Sequence, residues 1–252
     1  MSTRKLSHPL VPMEAWDEGT TRMDLAVRKE MKFTIDRGDV GAIRQVLQQR
    51  CRRIVHHEPV SWVRSVYFDD DTFSACRANL DGLGERTKVR LRWYDSLRPG
   101  QKTFLEIKWR RNRTTGKHRL HLTSPVDLES LSYRSIRDSI RAGLPDRFVL
   151  AFDAYPQPVS IVQYCREHFI TPDQSIRITL DYGLTFYDQF CKSHINTRFP
   201  VSMGDFVVVE GKTAVGSEQQ LRRLLSPMAR RANRCSKYVH GCQLLGLVRC
   251  GE

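Results

Sequence analysis

At 252 residues, with 40% apolar and 27% charged side chains, the chain has the composition of one large folded domain, which excludes wholesale disorder. Its 41 Lys and Arg against 28 Asp and Glu leave a formal charge of +13. That much like charge repels itself and steers anions, so the expected partner is anionic: nucleic acid, a phosphorylated molecule or an acidic lipid headgroup.

In chain order, residues 1–24 mix Pro9, Pro12, Gly19 and polar residues without periodicity and read as a flexible N-terminal arm; the folded domain is expected over 25–252. Arg28 to Phe33 reads as the first strand. Asp39 then caps a helix whose apolar stripe is Val40, Ile43, Val46 and Leu47. Ser61 to Phe68 reads as a strand, and Asp69-Asp70-Asp71-Thr72 caps a short helix through Leu80. Asp81-Gly82 turns the chain into a strand over 86–94. Hairpin punctuation at Arg98-Pro99-Gly100 and at 112–116 sets off strands over 104–110 and 117–122. Residues 125–143 read as helix, with Leu128, Leu131, Ile136 and Ile140 buried. Strands follow at 159–166, 175–181 and 206–212, and the tail reads as helices over 217–232 and 236–247.

Six of these segments share one pattern. Alternate residues of a strand face opposite ways, and here one side carries Lys and Arg with a few acids while the other is apolar: Arg28 to Phe33, Lys88 to Trp93, Phe104 to Trp109, Lys117 to Leu120, Ile176 to Asp181 and Val207 to Lys212. Any single strand of this kind is most simply a solvated sheet face. Trp93, Trp109, Leu91, Ile107 and Val209 are poor candidates for open water, however. Helices should therefore cover the apolar sides while the charges look inward. About eight strands joined mostly by short turns predict an α+β fold: a closed antiparallel β-barrel with a charged lumen, braced by helices.

Such a lumen would hold Arg28, Lys32, Lys88, Arg90, Arg92, Lys108, Arg110, Lys117, Arg119, Arg177 and Lys212 with Glu30, Glu106, Asp181 and Glu210. Eleven cations against four acids cannot be packed dry without ligands. Arginine forks grip phosphate oxygens bidentately and lysines act as point charges, so linked phosphates suit the bore. Carboxylates among phosphates make sense with a divalent metal, Mn²⁺ or Mg²⁺, bound by one or two acids plus phosphate oxygens. Glu210 is the first choice, with Glu30 and Glu106 assisting.

The cysteines (Cys51, Cys76, Cys165, Cys191, Cys235, Cys242, Cys250) are odd in number and form no C-x-x-C pair. They argue against a disulfide framework or zinc site and for a reducing, cytoplasmic setting. No apolar h-region opens the sequence and no run of 18 apolar residues occurs, so neither export nor a membrane span is expected. His56-His57 and the pair His118 and His121 lack an acid or cysteine partner at fixed spacing and read as surface or hydrogen-bonded residues rather than metal ligands.

Arg28-Lys29-Glu30-Met31-Lys32-Phe33, Tyr67-Phe68-Asp69, Lys88 through Tyr94, Phe104 through Lys108, Lys117 with Arg119, Tyr164 with Arg166, Ile176 through Asp181, Glu210 with Lys212, and Ser236-Lys237-Tyr238 occur in the order found in the VTC (vacuolar transporter chaperone) domain. From about residue 26 to 247 the chain resembles a stand-alone bacterial-type polyphosphate polymerase domain of the triphosphate tunnel metalloenzyme, or CYTH-like, superfamily. The resemblance implies a strand-walled tunnel that transfers the γ-phosphate of ATP to inorganic polyphosphate with Mn²⁺ or Mg²⁺. By motif, Arg90, Arg92, Lys108, Arg177 and Lys32 would bind the triphosphate, Glu210 would hold the metal and Lys237 would close over the phosphates. Arg28, Lys88, Lys117, Arg119, Tyr164, Arg166 and Lys212 would line the substrate path. The superfamily often opens with Glu-x-Glu-x-Lys; here Arg28 replaces the first glutamate, which disfavours a thiamine-triphosphatase or cyclase reading.

Two alternatives use the same tunnel: a triphosphate hydrolase and a non-catalytic polyphosphate-binding module. Nucleic acid fits the net charge but finds no RNP-type aromatic interleaving, helix-turn-helix or zinc finger, so none is expected as a partner.

Overall fold

The computed structural model describes residues 11–12, 28–56, 58–96, 103–112, 114–123, 128–228 and 232–249. In order these form β1 (Val11–Pro12), β2 (Arg28–Ile35), α1 (Val40–Gln48), β3 (Arg52–Ile54), β4 (Ser61–Asp69), α2 (Ser74–Leu80), β5 (Glu85–Tyr94), β6 (Thr103–Arg111) and β7 (Thr114–Thr123). A 3₁₀ turn at Leu128–Ser130 precedes α3 (Tyr133–Ala142) and α4 (Asp146–Asp153). The chain continues with β8 (Gln157–Ile170), β9 (Arg177–Asp188), β10 (Val201–Ser202), β11 (Val207–Ala214), α5 (Glu218–Leu225) and α6 (Lys237–Leu244).

The arm read at 1–24 lies outside the described residues except for β1, which pairs with the end of β7. Side-chain caps start several helices where the sequence reading placed them. Asp39 Oδ1 accepts the amide of Ala42 at 3.1 Å, and Asp69 accepts the amides of Ala75 and Cys76 at 2.9 Å each; such bonds satisfy orphan donors of the first turn. The helix read over 125–143 is interrupted, because Ser132 takes an extended conformation and caps α3 through Ser135.

All ladders are antiparallel, and the path runs β1-β7-β6-β5-β4-β8-β9-β11-β2, with β10 on β9 and β3 on β8. Among the described residues eight long strands carry this sheet, which curls into a half-barrel. The closed barrel expected from the sequence is not formed. Among the described residues no ladder joins β2 to β7 or β1, and a competing partner takes the edge of β2. The carbonyl of Lys32 accepts the Asn233 amide at 2.8 Å, and Asn233 Nδ2 donates to Thr34 Oγ1 at 2.9 Å. The segment leading into α6 thus occupies the backbone groups that closure would use.

Helices cover the convex face in two layers. α3 and α4 bury Ile136, Ile140, Phe148 and Phe152 against Val89, Leu91, Trp93, Leu105 and Ile107; α1 and α5 bury Ile43, Leu47, Leu221 and Leu225 against Phe33, Ile178, Leu180 and Val209. Gly211 makes the second packing possible, since a Cβ there would stand 2.3 Å from Leu221 Cδ1. α6 sits on the concave side, where Tyr238, Val239 and Cys242 pack with Tyr67, Val162, Tyr164, Phe186 and Val208. Its Gly241 is equally tight, 2.7 Å from Phe186 Cδ1 for an added Cβ. The concave face is therefore plugged by an apolar helix over one part and left charged over the rest. Among the described residues no helix is long and apolar enough to cross a membrane, and the six of the seven cysteines that are described are free thiols.

Candidate functional site

Strand register assembles the first charge cluster. Across β5, β6 and β7 the paired rows are Arg90, Glu106 and Arg119, then Lys88, Lys108 and Lys117. Because neighbours in a row point to the same face, both rows converge on the concave side while Val89, Leu91 and Ile107 enter the outer core. Glu106 is fully buried and ringed by cations. Arg90 Nε donates to its Oε2 at 2.8 Å, with Arg92 Nη1 at 3.8 Å, while Lys117 Nζ and Arg119 Nε stand 2.6 and 3.5 Å from Oε1. Burial alone would raise its pKa, but Arg90, Arg92, Lys117 and Lys108 hold it well below the usual carboxylate range.

One carboxylate cannot satisfy so many cations, and the lysines show the strain. Burial, with Lys32, Arg86 and Arg90 nearby, pushes Lys88 down to about 7. Burial also brings Lys117 to about 8, despite its contact with Glu106. Lys108 falls well below its ordinary value, chiefly through Arg90. Lys108 remains accessible to solvent although Arg90, Glu106, Arg92 and Glu30 surround it, a combination that a water-filled cleft produces. Its proximity to Glu30 of β2 brings the two ends of the curled sheet towards each other.

The opposite wall comes from β2, β11, β9 and β8. Lys32 pairs in register with Glu210 and Glu30 with Lys212. Lys32 Nζ lies 3.2 Å from Glu30 and 3.7 Å from Glu210, and Lys212 Nζ 3.7 and 2.9 Å from the same two acids. Against the upward push of burial, Lys212, Lys32, Arg166 and Lys237 hold Glu210 well below the carboxylate range. Next to it, the fully buried Asp181 receives Arg166 Nε and Nη2 at 2.6 and 2.7 Å and Lys237 Nζ at 2.6 Å. Lys237 also sits over the Tyr164 ring at 4.7 Å, and Tyr164 Oη accepts from Arg92 at 3.2 Å.

The start of α6 ties the walls together. Ser236 Oγ accepts from Lys88 Nζ at 2.8 Å and from the Val239 amide at 3.4 Å. Tyr238 stacks on Tyr67 at 4.8 Å and donates to Asp69 at 2.6 Å, while Tyr67 Oη accepts from Arg90 at 2.7 Å. Tyr67, Asp69 and Ser236 stood in the recognised motifs, but nothing in their spacing marked them as connectors between distant strands.

The sequence-derived residues thus fall into groups. Lys32, Lys88, Arg90, Arg92, Lys108, Lys117, Arg119, Tyr164, Arg166, Lys212 and Lys237 come together with Glu30, Glu106, Asp181 and Glu210. Arg177 opens β9 opposite Lys212 and is exposed at the margin. The Arg28 side chain lies outside the described residues. Arg110 is exposed at the end of β6, where it donates to the carbonyl of Asn112. His56 meets His168 edge to face at 4.8 Å. His118 lies on the convex side, taking a bond from Trp109 Nε1 at 3.0 Å and packing on Phe148.

Among the described residues no three His, Cys, Asp or Glu side chains group as a metal site. Glu106 and Asp181 are enclosed by cations. Glu30 and Glu210 share both lysine neighbours, and the Glu30 side chain is 44% exposed. Two neighbouring carboxylates fit Mn²⁺ or Mg²⁺, provided a phosphorylated ligand and water complete the oxygen shell.

A family model described as the VTC domain matches residues 27–246. No curated protein matches the chain. Among solved structures, the PH1819 protein from Pyrococcus horikoshii OT3 is similar at 12% identity and a TM-score of 0.43, over 84% of this chain and 95% of that one. A putative adenylyl cyclase, HpAC1 from Hippeastrum, described as revealing a dominant triphosphatase activity, is similar at 13% identity and a TM-score of 0.44, over 87% of this chain and 99% of that one. Likenesses of that strength carry no argument about this chain.

Proposed function

The chain belongs to the VTC domain family, and from that premise we propose that it is a phosphotransferase that moves the γ-phosphate of ATP onto inorganic polyphosphate within its half-barrel. The observation that carries this reading is the charge imbalance on one concave face. Ten described cations (Lys32, Lys88, Arg90, Arg92, Lys108, Lys117, Arg119, Arg166, Lys212 and Lys237) meet four acids there, and Lys88, Lys108 and Lys117 are driven below their ordinary pKa. Such a face lowers its own electrostatic energy by taking up a polyanion.

In this reading Arg90, Arg92 and Lys108 hold the triphosphate from the β5–β6 wall, Lys32 and Arg177 hold it from the opposite side, and Lys237 closes over it from α6. Lys88, Lys117, Arg119, Tyr164, Arg166 and Lys212 line the path. Glu106 serves as the buried anchor that fixes the arginine forks. Glu210 and Glu30 hold Mn²⁺ or Mg²⁺, which supplies charge neutralisation at the phosphate oxygens when bound. A terminal oxygen of the polyphosphate attacks the γ-phosphorus as its bond to the β–γ bridging oxygen breaks, and ADP departs with that oxygen. The attacking oxygen is already ionised at neutral pH, so no general base is required. Positioning and electrostatic stabilisation then provide the catalysis.

Incubating the protein with ATP and Mn²⁺ and resolving the products on a gel tests the assignment. A ladder of long polyphosphate is the expected result. Free phosphate alone would make the channel a hydrolase, and binding without turnover at any divalent metal would make it a binding module.

A further inference from the structure

Along β5–β7 the concave face changes character. The row beyond Arg90, Glu106 and Arg119 has one cation and two rings: Arg92 stands opposite Phe104, and Phe104 opposite His121, in register, and Tyr94 lies two residues beyond Arg92 on the same face. Phe104 and His121 stack at 4.9 Å and 26°, Tyr94 meets Phe104 edge to face at 6.2 Å, and the Arg119 guanidinium lies 3.6 Å over the Phe104 ring. Arg119 Nη2 also reaches Tyr94 Oη at 3.4 Å.

Two features separate this layer from ordinary core. Phe104 is only half-buried and joins none of the three hydrophobic clusters. His121 Nε2 is buried and has no hydrogen-bond partner among the described residues; a buried polar atom of that kind calls for a ligand or water. His118, three residues earlier on the convex side, has its Nε2 bonded to Trp109.

We propose that Tyr94, Phe104, Arg119 and His121 form a nucleobase pocket at one end of the phosphate path, the part of the site that would tell a nucleoside triphosphate from a bare triphosphate. The proposal rests on the phosphate-binding reading of the channel. Aromatic rings and an arginine plane stack on any base without regard to sequence, the free imidazole nitrogen bonds the base edge, and Arg119 bridges the aromatic layer to the Glu106 cluster. A base held there leaves its phosphates running over Arg92 and Arg90.

The test measures binding of a non-hydrolysable ATP analogue and of tripolyphosphate to the full chain and to the His121→Ala and Phe104→Leu variants. Each variant is expected to weaken the analogue about tenfold, the scale of one stacking contact, while tripolyphosphate affinity moves less than twofold. Parallel losses for both ligands, or no loss for either, would overturn the pocket. Should Phe104→Leu fail to fold, photocrosslinking of an azido-ATP to the unsubstituted protein decides: attachment within 103–123 supports the pocket, and attachment elsewhere removes it. Failure of the unsubstituted protein to bind tripolyphosphate at all would remove the channel reading itself, a result distinct from loss of base selectivity.

Discussion

Glu106 and Glu210 occupy opposite walls of the same concave face, and their surroundings differ in kind. Glu106 is sealed between Arg90, Arg92, Lys117 and Arg119. Glu210 shares Lys32 and Lys212 with a second, half-exposed acid, Glu30. The first wall therefore carries an excess of positive charge that a polyanion relieves, whereas the second is nearly balanced and has carboxylate oxygens to offer a cation. Alternating charge on strands is common to both, and what the neighbouring strand supplies decides the role.

Substitution separates the two. Glu210→Gln should lower ATP-dependent polyphosphate synthesis roughly 10²-fold or more, on the scale of losing one electrostatic contact to the transition state, with a higher Mn²⁺ requirement and a smaller fall in melting temperature than Glu106→Gln, because Glu30 still faces Lys32 and Lys212. Full activity at ordinary Mn²⁺ would deny it the metal. Glu106→Gln should act on the fold instead. Removing the acid leaves buried cations uncompensated, which costs about 3 kcal/mol, or roughly 6–12 °C of melting temperature for a chain of this size. Tripolyphosphate should restore much of that loss, since its charges replace the missing one. A Glu106→Gln protein that melts normally, or that tripolyphosphate leaves unimproved, would collapse the distinction between the walls.

Titration sharpens the same contrast. Lys88 near 7 and Lys117 near 8 lie below the ordinary lysine value, so between those values and about 10.5 the native state binds fewer protons than the unfolded chain. The penalty from these lysines is fully present below pH 7, and their contribution makes the ligand-free protein more stable as pH rises through that window. A bound polyanion favours the charged forms. Tripolyphosphate binding should therefore take up protons near pH 8 and weaken as pH rises from 7 to 9. Calorimetry in buffers of different ionisation enthalpy measures the uptake; zero uptake in every buffer would mean that both lysines are already charged.

The charged walls were legible because strand alternation is local. Lys88, Arg90 and Arg92 alternate with Val89, Leu91 and Trp93, and three apolar residues of that size must be covered, which sends the cations to the other side. The closure of the sheet was not legible. Whether β2 meets β7 or is capped by the chain at Asn233 depends on contacts about 200 residues apart in sequence, and both outcomes leave the same local pattern. α4 escaped notice for a similar reason: it is eight residues long, follows Pro145, has no side-chain cap, and is held by Phe148 and Phe152 in the outer core. The enclosure of Asp181 by Arg166 and Lys237 likewise joins β8, β9 and α6, and no spacing along the chain announces it. His118 and His121 looked alike in sequence; only the strand register places one under α4 and the other beside the channel.

The smallest expected effect concerns the contact that joins the walls. Ser236 caps α6 and takes a hydrogen bond from Lys88, so Ser236→Ala removes one helix cap, worth about 1 kcal/mol, and frees Lys88 from its hydroxyl partner. The melting temperature should fall roughly 2–4 °C. If α6 positions Lys237 over the phosphates, the KM for ATP should also rise a few-fold while synthesis at saturating ATP persists, and Ser236→Thr, which keeps the hydroxyl, should recover both. A loss confined to stability, with the KM unmoved, would make Ser236 a cap alone and leave closure over the substrate to the Asp181–Lys237 pair.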